Sequence, residues 1–138
     1  MGLCEAAEYL VLKALSNGVA VDALYDYFVN GVSPRDISIK YGITKLQLRG
    51  YVSRMLEKAH SSYRAALYMK VLYPVVKKIR PVVICGNDYC ICGLCSEKVS
   101  RERVERHIYN VHRDIVASYL EAVLEAVKEE WNNNRMAR

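Results

Sequence analysis

The sequence predicts a mainly α protein: a helical N-terminal half, then one small ββα unit, then a long C-terminal amphipathic helix. Three observations predict it. Apolar residues recur at helical spacing through residues 3–72. That pattern breaks at 82–113, where a β-branched run, a Gly-Asn-Asp turn signal and four clustered cysteines stand together. Residues 114–131 then return to an unbroken apolar stripe. The boundaries expected are a helical domain at 1–73, a connector at 74–81, the small unit at 82–113, a helix at 114–131 and a disordered tail at 132–138.

Composition narrows the class. At 52% hydrophobic over 138 residues, the chain can bury a core of its own. No apolar run reaches the roughly 20 residues that span a bilayer, so no membrane partner is expected. The acidic start MGLCEAAEYL lacks the basic residues and cleavage site of a secretory signal, which makes the cytoplasm the expected location. Four of the five cysteines fall within 85–95, and in a reducing compartment such crowding favours metal over disulfide. Cys85 and Cys90 read as small buried thiols, with a second metal or a disulfide as alternatives.

Charge is unevenly spread. The net +5 combines −3 over residues 1–30 with +9 over residues 31–80, where eleven bases face only Asp36 and Glu57. Residues 81–113 carry +1 and residues 114–138 carry −2. A polyanion is the partner such a segment suits; a solvated helical face is the alternative.

In chain order, Leu3, Ala7, Leu10, Val11, Ala14 and Leu15 mark a first helix stopped at Ser16-Asn17-Gly18. A second is expected over Val21–Asn30, with Leu24, Tyr25 and Phe28 inward. Ser33 and Pro34 then suit N-cap and N1 of a short helix burying Ile37 and Tyr41. Gly42 suits the turn, Ile43 plugs the core, and Thr44 caps a helix with Leu48, Val52, Met55 and Leu56 on one face. Two helices joined by so short a turn form a helix-turn-helix. Tyr63, Ala66, Leu67 and Val71 mark a further helical face. Val82–Ile84 and Tyr89–Ile91 read as a strand pair about the turn at Gly86-Asn87-Asp88.

The stretch Leu24–Leu56 resembles the helix-turn-helix of sigma-factor region 4 and related response-regulator domains. The matching residues are Gly31, Ser33, Ile37, the Gly42-Ile43-Thr44 turn, Leu48, Val52 and Leu56. The resemblance implies that helix 44–58 enters the major groove of DNA. Lys45, Gln47 and Arg49 would then reach base edges or phosphates, with Gln47 suited to adenine and Arg49 to guanine. Arg54 would meet a phosphate, and Arg35 and Lys40 complete the expected DNA contacts. Gly50 departs from a good helix former at a cost of about 1 kcal/mol.

Cys92 and Cys95 are separated by two residues, His107 and His112 by four, and the two pairs by eleven. This spacing can set two thiolates and two imidazoles around one structural Zn²⁺, with Cys90 as the alternative to one ligand. On a regular helix the two histidines would diverge by about 140°. The helix must therefore loosen or end near residues 108–111. Residues 90–112 resemble the classical Cys₂His₂ zinc finger, with Val99 and Val104 where that family has Phe and Leu. The resemblance implies base-reading positions at Ser100, Arg103 and Arg106. The pairing of the two motifs in one small chain resembles small regulators of archaea and their viruses or plasmids. A single glutamine beside abundant Tyr and Val points to a thermophile.

From Asp114, the stripe Ile115, Tyr119, Leu120, Val123, Leu124, Val127 and Trp131 can pack on the N-terminal helices or form a homodimer. The function expected is a nucleoid-associated, double-stranded-DNA-binding transcription regulator. An RNA-binding protein and a zinc-stabilised adaptor for another protein are the alternatives. No phosphate loop, nucleophile motif or paired acids point to an enzyme or a small-molecule substrate.

Overall fold

Helix α1 (Gly2–Ser16) is the axis of the molecule. From Ala6 to Leu15, all but Glu8 are buried. A helix apolar on nearly every side is a core helix rather than a surface one, and α1 packs against α2 (Gly18–Phe28), α4 (Lys45–Ala59), α5 (Ser62–Val76), α6 (Val104–Val111) and α7 (Arg113–Met136). The computed structural model describes the backbone of residues 2–136 and the side chains of residues 2–130 and 132. It is mainly helical, with one three-stranded antiparallel sheet among the described residues.

Helix α2 begins three residues earlier than the sequence predicts. Asn17 does not merely stop α1: its side chain accepts the Val19 N–H at 3.3 Å and starts α2. Two tyrosines tie α2 to its neighbours. Tyr73 of α5 donates to Asp22 at 2.6 Å while its ring stacks on Tyr25 at 4.1 Å. Tyr41 donates to Asp26, also at 2.6 Å.

Helix α3 (Pro34–Tyr41) opens as expected, with Ser33 accepting the Asp36 N–H at 3.2 Å and proline at its start. Gly42 ends it at φ 67°, a left-handed conformation that glycine adopts without strain. Ile43 is buried, and Thr44 opens α4 with a full capping box: its hydroxyl accepts the Gln47 N–H while Gln47 Oε1 accepts the Thr44 N–H. The buried line of α4 is Leu48, Tyr51, Met55 and Ala59, with Val52 and Leu56 half-buried beside it. Tyr51 replaces Val52 as a core residue because α1 lies on that side.

Three expectations need correction. Helix α5 buries Ala65, Met69, Leu72 and Val76, not the predicted line. Tyr63 and Leu67 face solvent, because Ser61 caps a fresh helix after the left-handed His60 and resets its rotation. The connector at 74–81 starts inside α5, which continues through Pro74 to Val76. The tail expected to be disordered from 132 is helical to Met136, since α7 has no breaker before its end; residues 137–138 lie outside the description.

The sheet comprises β1 (Val83–Cys85), β2 (Tyr89–Cys92) and β3 (Lys98–Ser100), in the order β1-β2-β3. The first two form the expected hairpin. The third follows from the knuckle at Cys92–Glu97, which turns the chain so that Lys98 pairs with Ile91. A 3-10 turn at Arg101–Arg103 leads into α6. Helix α7 lays Val116, Leu120, Val123, Leu124 and Val127 inward and packs on α1 and α5. Trp131 of the expected stripe lies outside the described side chains. A single cluster of buried residues runs from Ala6 to Val123, so the small unit and the helical part share one core.

Candidate functional site

Strand β2 sorts its side chains by alternation. Tyr89 and Ile91 point outward; Cys90 and Cys92 point in. Cys90 stands opposite Cys85 in the β1–β2 register, and the two form a disulfide. The reading of both as buried thiols is thereby overturned, as is Cys90 as an alternative metal ligand. The cause is register: a four-residue turn at 86–89 places the two Cα atoms 4.0 Å apart. Cys4, Cys92 and Cys95 are free.

Cys92 and Cys95 share a tight knuckle. The Cys92 N–H donates to Glu97 at 2.9 Å, and the Ser96 N–H donates back to Cys92 at 2.7 Å. Glycine is required at 93, because a Cβ there would stand 2.7 Å from the Val82 carbonyl oxygen. His107 comes from α6. His112 lies just past its end, at φ −116° and ψ 41°. The helix thus terminates where the five-residue spacing demanded, and the two imidazoles converge with ring centroids 5.2 Å apart.

The ligand atoms of Cys92, Cys95, His107 and His112 all lie within 4.8 Å of one another. Cys92 Sγ is 3.4 Å from His112 Nε2, and Cys95 Sγ is 3.4 Å from His107 Nε2. Metal bonds of about 2.0–2.3 Å at tetrahedral angles separate neighbouring S and N ligands by roughly 3.6 Å. The four residues therefore fit one ion and can hold it. Glu97 places one carboxylate oxygen 3.7 Å from His107 Nδ1 and 4.0 Å from Cys95 Sγ.

This unit is seated on the helical part through α6. Val104 and Ile108 are buried against α1, and beside them Glu105 pairs with Lys13. Lys13 is only 6% exposed. Its ammonium lies 4.9 Å from the Tyr51 ring centroid and 5.6 Å from that of Tyr9. The joint therefore brings together α1, α4 and α6. Tyr9 is buried there, near the Arg54 side chain, and its hydroxyl has no hydrogen-bond partner within 3.5 Å among the described residues; burial pushes its pKa well above the ordinary tyrosine value. Sequence reading passed over Lys13. The available signal was a single base set within the apolar run from Tyr9 to Leu15.

The basic residues of α3 and α4 divide by face. At about 100° per residue, the line opposite the buried side of α4 is Leu46, Gly50, Ser53 and Glu57. Arg49 flanks that line on one side and Arg54 on the other, while Lys45 and Gln47, in the first turn, lie toward the two edges of the buried side; all four are exposed. Gln47, Arg54 and Arg106 line a groove of about 1080 Å³ between α4 and α6. Gln47 Oε1 is held by the capping box, leaving only its N–H₂ free. Arg35, Ser100 and Arg103 are exposed outside that groove.

Lys40 is engaged. Its ammonium lies 3.0 Å from Asp26, which also accepts from Asn30 at 2.8 Å and from Tyr41. Burial alone would raise the Asp26 pKa, but the hydrogen bonds from Tyr41, Asn30 and Lys40 outweigh it and hold the carboxyl below the ordinary range. The same bond to Asp26 raises Lys40.

No protein family, curated protein or solved structure matches the chain. Among the described residues, no helix is long and apolar enough to cross a membrane.

Proposed function

We propose that the protein binds double-stranded DNA as a transcription regulator, with α3, the Gly42–Thr44 turn and α4 acting as a helix-turn-helix. The observation that carries this reading is the start of α4, where Lys45 and Arg49 stand exposed on a segment, residues 31–80, of net +9. Its first turn is fixed by a capping box, as a helix that must present side chains in a set register requires. Gly50 supports it too. A Cβ there would meet only Arg54 Nη2 at 3.7 Å, so nothing inside the protein requires a glycine. Close approach of a phosphate or base to the backbone would.

The ion in this reading is Zn²⁺, which suits two thiolates and two imidazoles in a tetrahedron. Four protein ligands leave no position for water, so its role is structural. Cys92, Cys95, His107 and His112 would hold it. The unit then presents Arg106 beside Arg54 across one groove, a second row of contacts to the same duplex.

The test is binding to duplex DNA and duplex RNA over a salt series with the zinc-loaded full chain. DNA binding that weakens steeply with salt is expected. Arg49→Ala should relax sequence choice, while Arg54→Ala should weaken all duplexes alike. Absence of DNA binding at low salt, or a preference for RNA, would sink the proposal.

A further inference from the structure

The geometry points to Leu46 as a residue that reads the methyl group of a thymine in the major groove. The inference rests on α4 being the recognition helix. Leu46 occupies the second position of α4 and is 74% exposed. It lies directly opposite the buried line Leu48, Tyr51, Met55 and Ala59, so no packing within the chain accounts for its size. Alanine would serve the helix as well there. An exposed leucine alone means little. This one is the sole apolar side chain on the outward line of α4, and exposed cations at 45 and 49 flank it within one turn.

Those cations fix what the leucine meets. Lys45 and Arg49 suit phosphates and guanine edges, which brings this turn of the helix against DNA rather than against an apolar protein face. The N-terminal residues of a recognition helix are the ones placed at base edges. Among the groups the major groove displays there, the thymine 5-methyl is the apolar one. Leu46 therefore selects a T·A pair next to the base pair that Arg49 contacts. Gln47, the residue chemically suited to adenine, has its amide oxygen held in the capping box and cannot make the bidentate contact without breaking the cap. Selection at an A·T step accordingly falls to the methyl side of the pair.

The experiment starts from duplexes selected out of a randomised library with the zinc-loaded full chain. Each thymine in a selected duplex is then replaced by deoxyuridine, which removes only the methyl group. At one position the replacement should weaken the native protein about fourfold, the effect of one buried carbon. For Leu46→Ala the same replacement should change affinity by less than about twofold, and the variant should melt like the native chain because the side chain is exposed. Methyl sensitivity at no position, or equal sensitivity in Leu46→Ala, overturns the inference while leaving DNA binding intact. Failure to select any duplex overturns the recognition-helix reading and this inference together.

Discussion

The pair α3–α4 and the unit at 83–112 solve the same problem, holding a short helix in a set orientation, by different means. The first uses the core and the caps: Ile37, Ile43, Leu48 and Met55 are buried, and Ser33 and Thr44 close the helix starts. The second has little to bury beyond Cys90, Cys92, Val104 and Ile108. A disulfide and a four-ligand cluster do the rest. The basic excess follows the self-sufficient region: residues 34–59 carry six bases and two acids, net +4, against four of each, net 0, over residues 83–112. The region suited to a polyanion is thus the one that contains no metal ligands of its own.

Removing the metal tests this contrast hardest. In sites of this type bound zinc contributes about 10–16 kcal/mol that is also folding free energy. Chelation, or Cys95→Ser, should collapse amide signal dispersion for residues 83–112 and leave the α1–α4 resonances dispersed. Equal zinc content in native and Cys95→Ser protein would refute the ligand set. A smaller effect lies at the joint between the regions. Glu105→Gln strands a buried ammonium and should cost about 3 kcal/mol in urea unfolding, the low end for a buried pair because the Glu105 side chain is 34% exposed. Lys13→Met leaves a carboxylate already partly in water, and should cost under about 1 kcal/mol. The reverse order would mean that Lys13 is not the buried partner.

Within the helical region the sensitive group is Asp26. Its folded pKa lies below the unfolded value of about 3.9. The stabilisation it supplies is therefore complete above that pH and is lost as pH falls through the folded pKa. Asp26→Asn should cost about 1–3 kcal/mol at neutral pH and flatten the acid limb of the stability curve, measured by denaturant melts from pH 7 to pH 2. Gly50→Ala should move the other way, stabilising the free protein by about 1 kcal/mol while weakening DNA binding. Smallest of all, Tyr9→Phe removes an unpartnered buried hydroxyl and should change stability by less than about 0.5 kcal/mol, or raise it.

Much of this was legible because it is written in local chemistry. Ser33-Pro34 and Gly42-Ile43-Thr44 name their own caps and turn, and the two-four spacing of Cys and His names a ligand set together with the helix end it demands. What was not legible depended on distant neighbours. The rotation of α5 was set by the left-handed His60, which no periodicity reveals. The Cys85–Cys90 bond needed a strand register, and β3 needed the knuckle to turn back. The acids of the first thirty residues read only as negative charge. In the fold Asp22 and Asp26 are acceptors for Tyr73 and Tyr41, which also explains a use for so many tyrosines.

Lys13 carries a thermodynamic consequence. Its ammonium is shared by α1, the Tyr51 ring of α4 and Glu105 of α6. An ion bound at Cys92, Cys95, His107 and His112 fixes α6, and α6 carries Glu105. Metal occupancy and the seating of α4 are then linked functions, and linkage is reciprocal. Whatever the docked helices add to the affinity for the ion, the ion returns in equal measure to the docking.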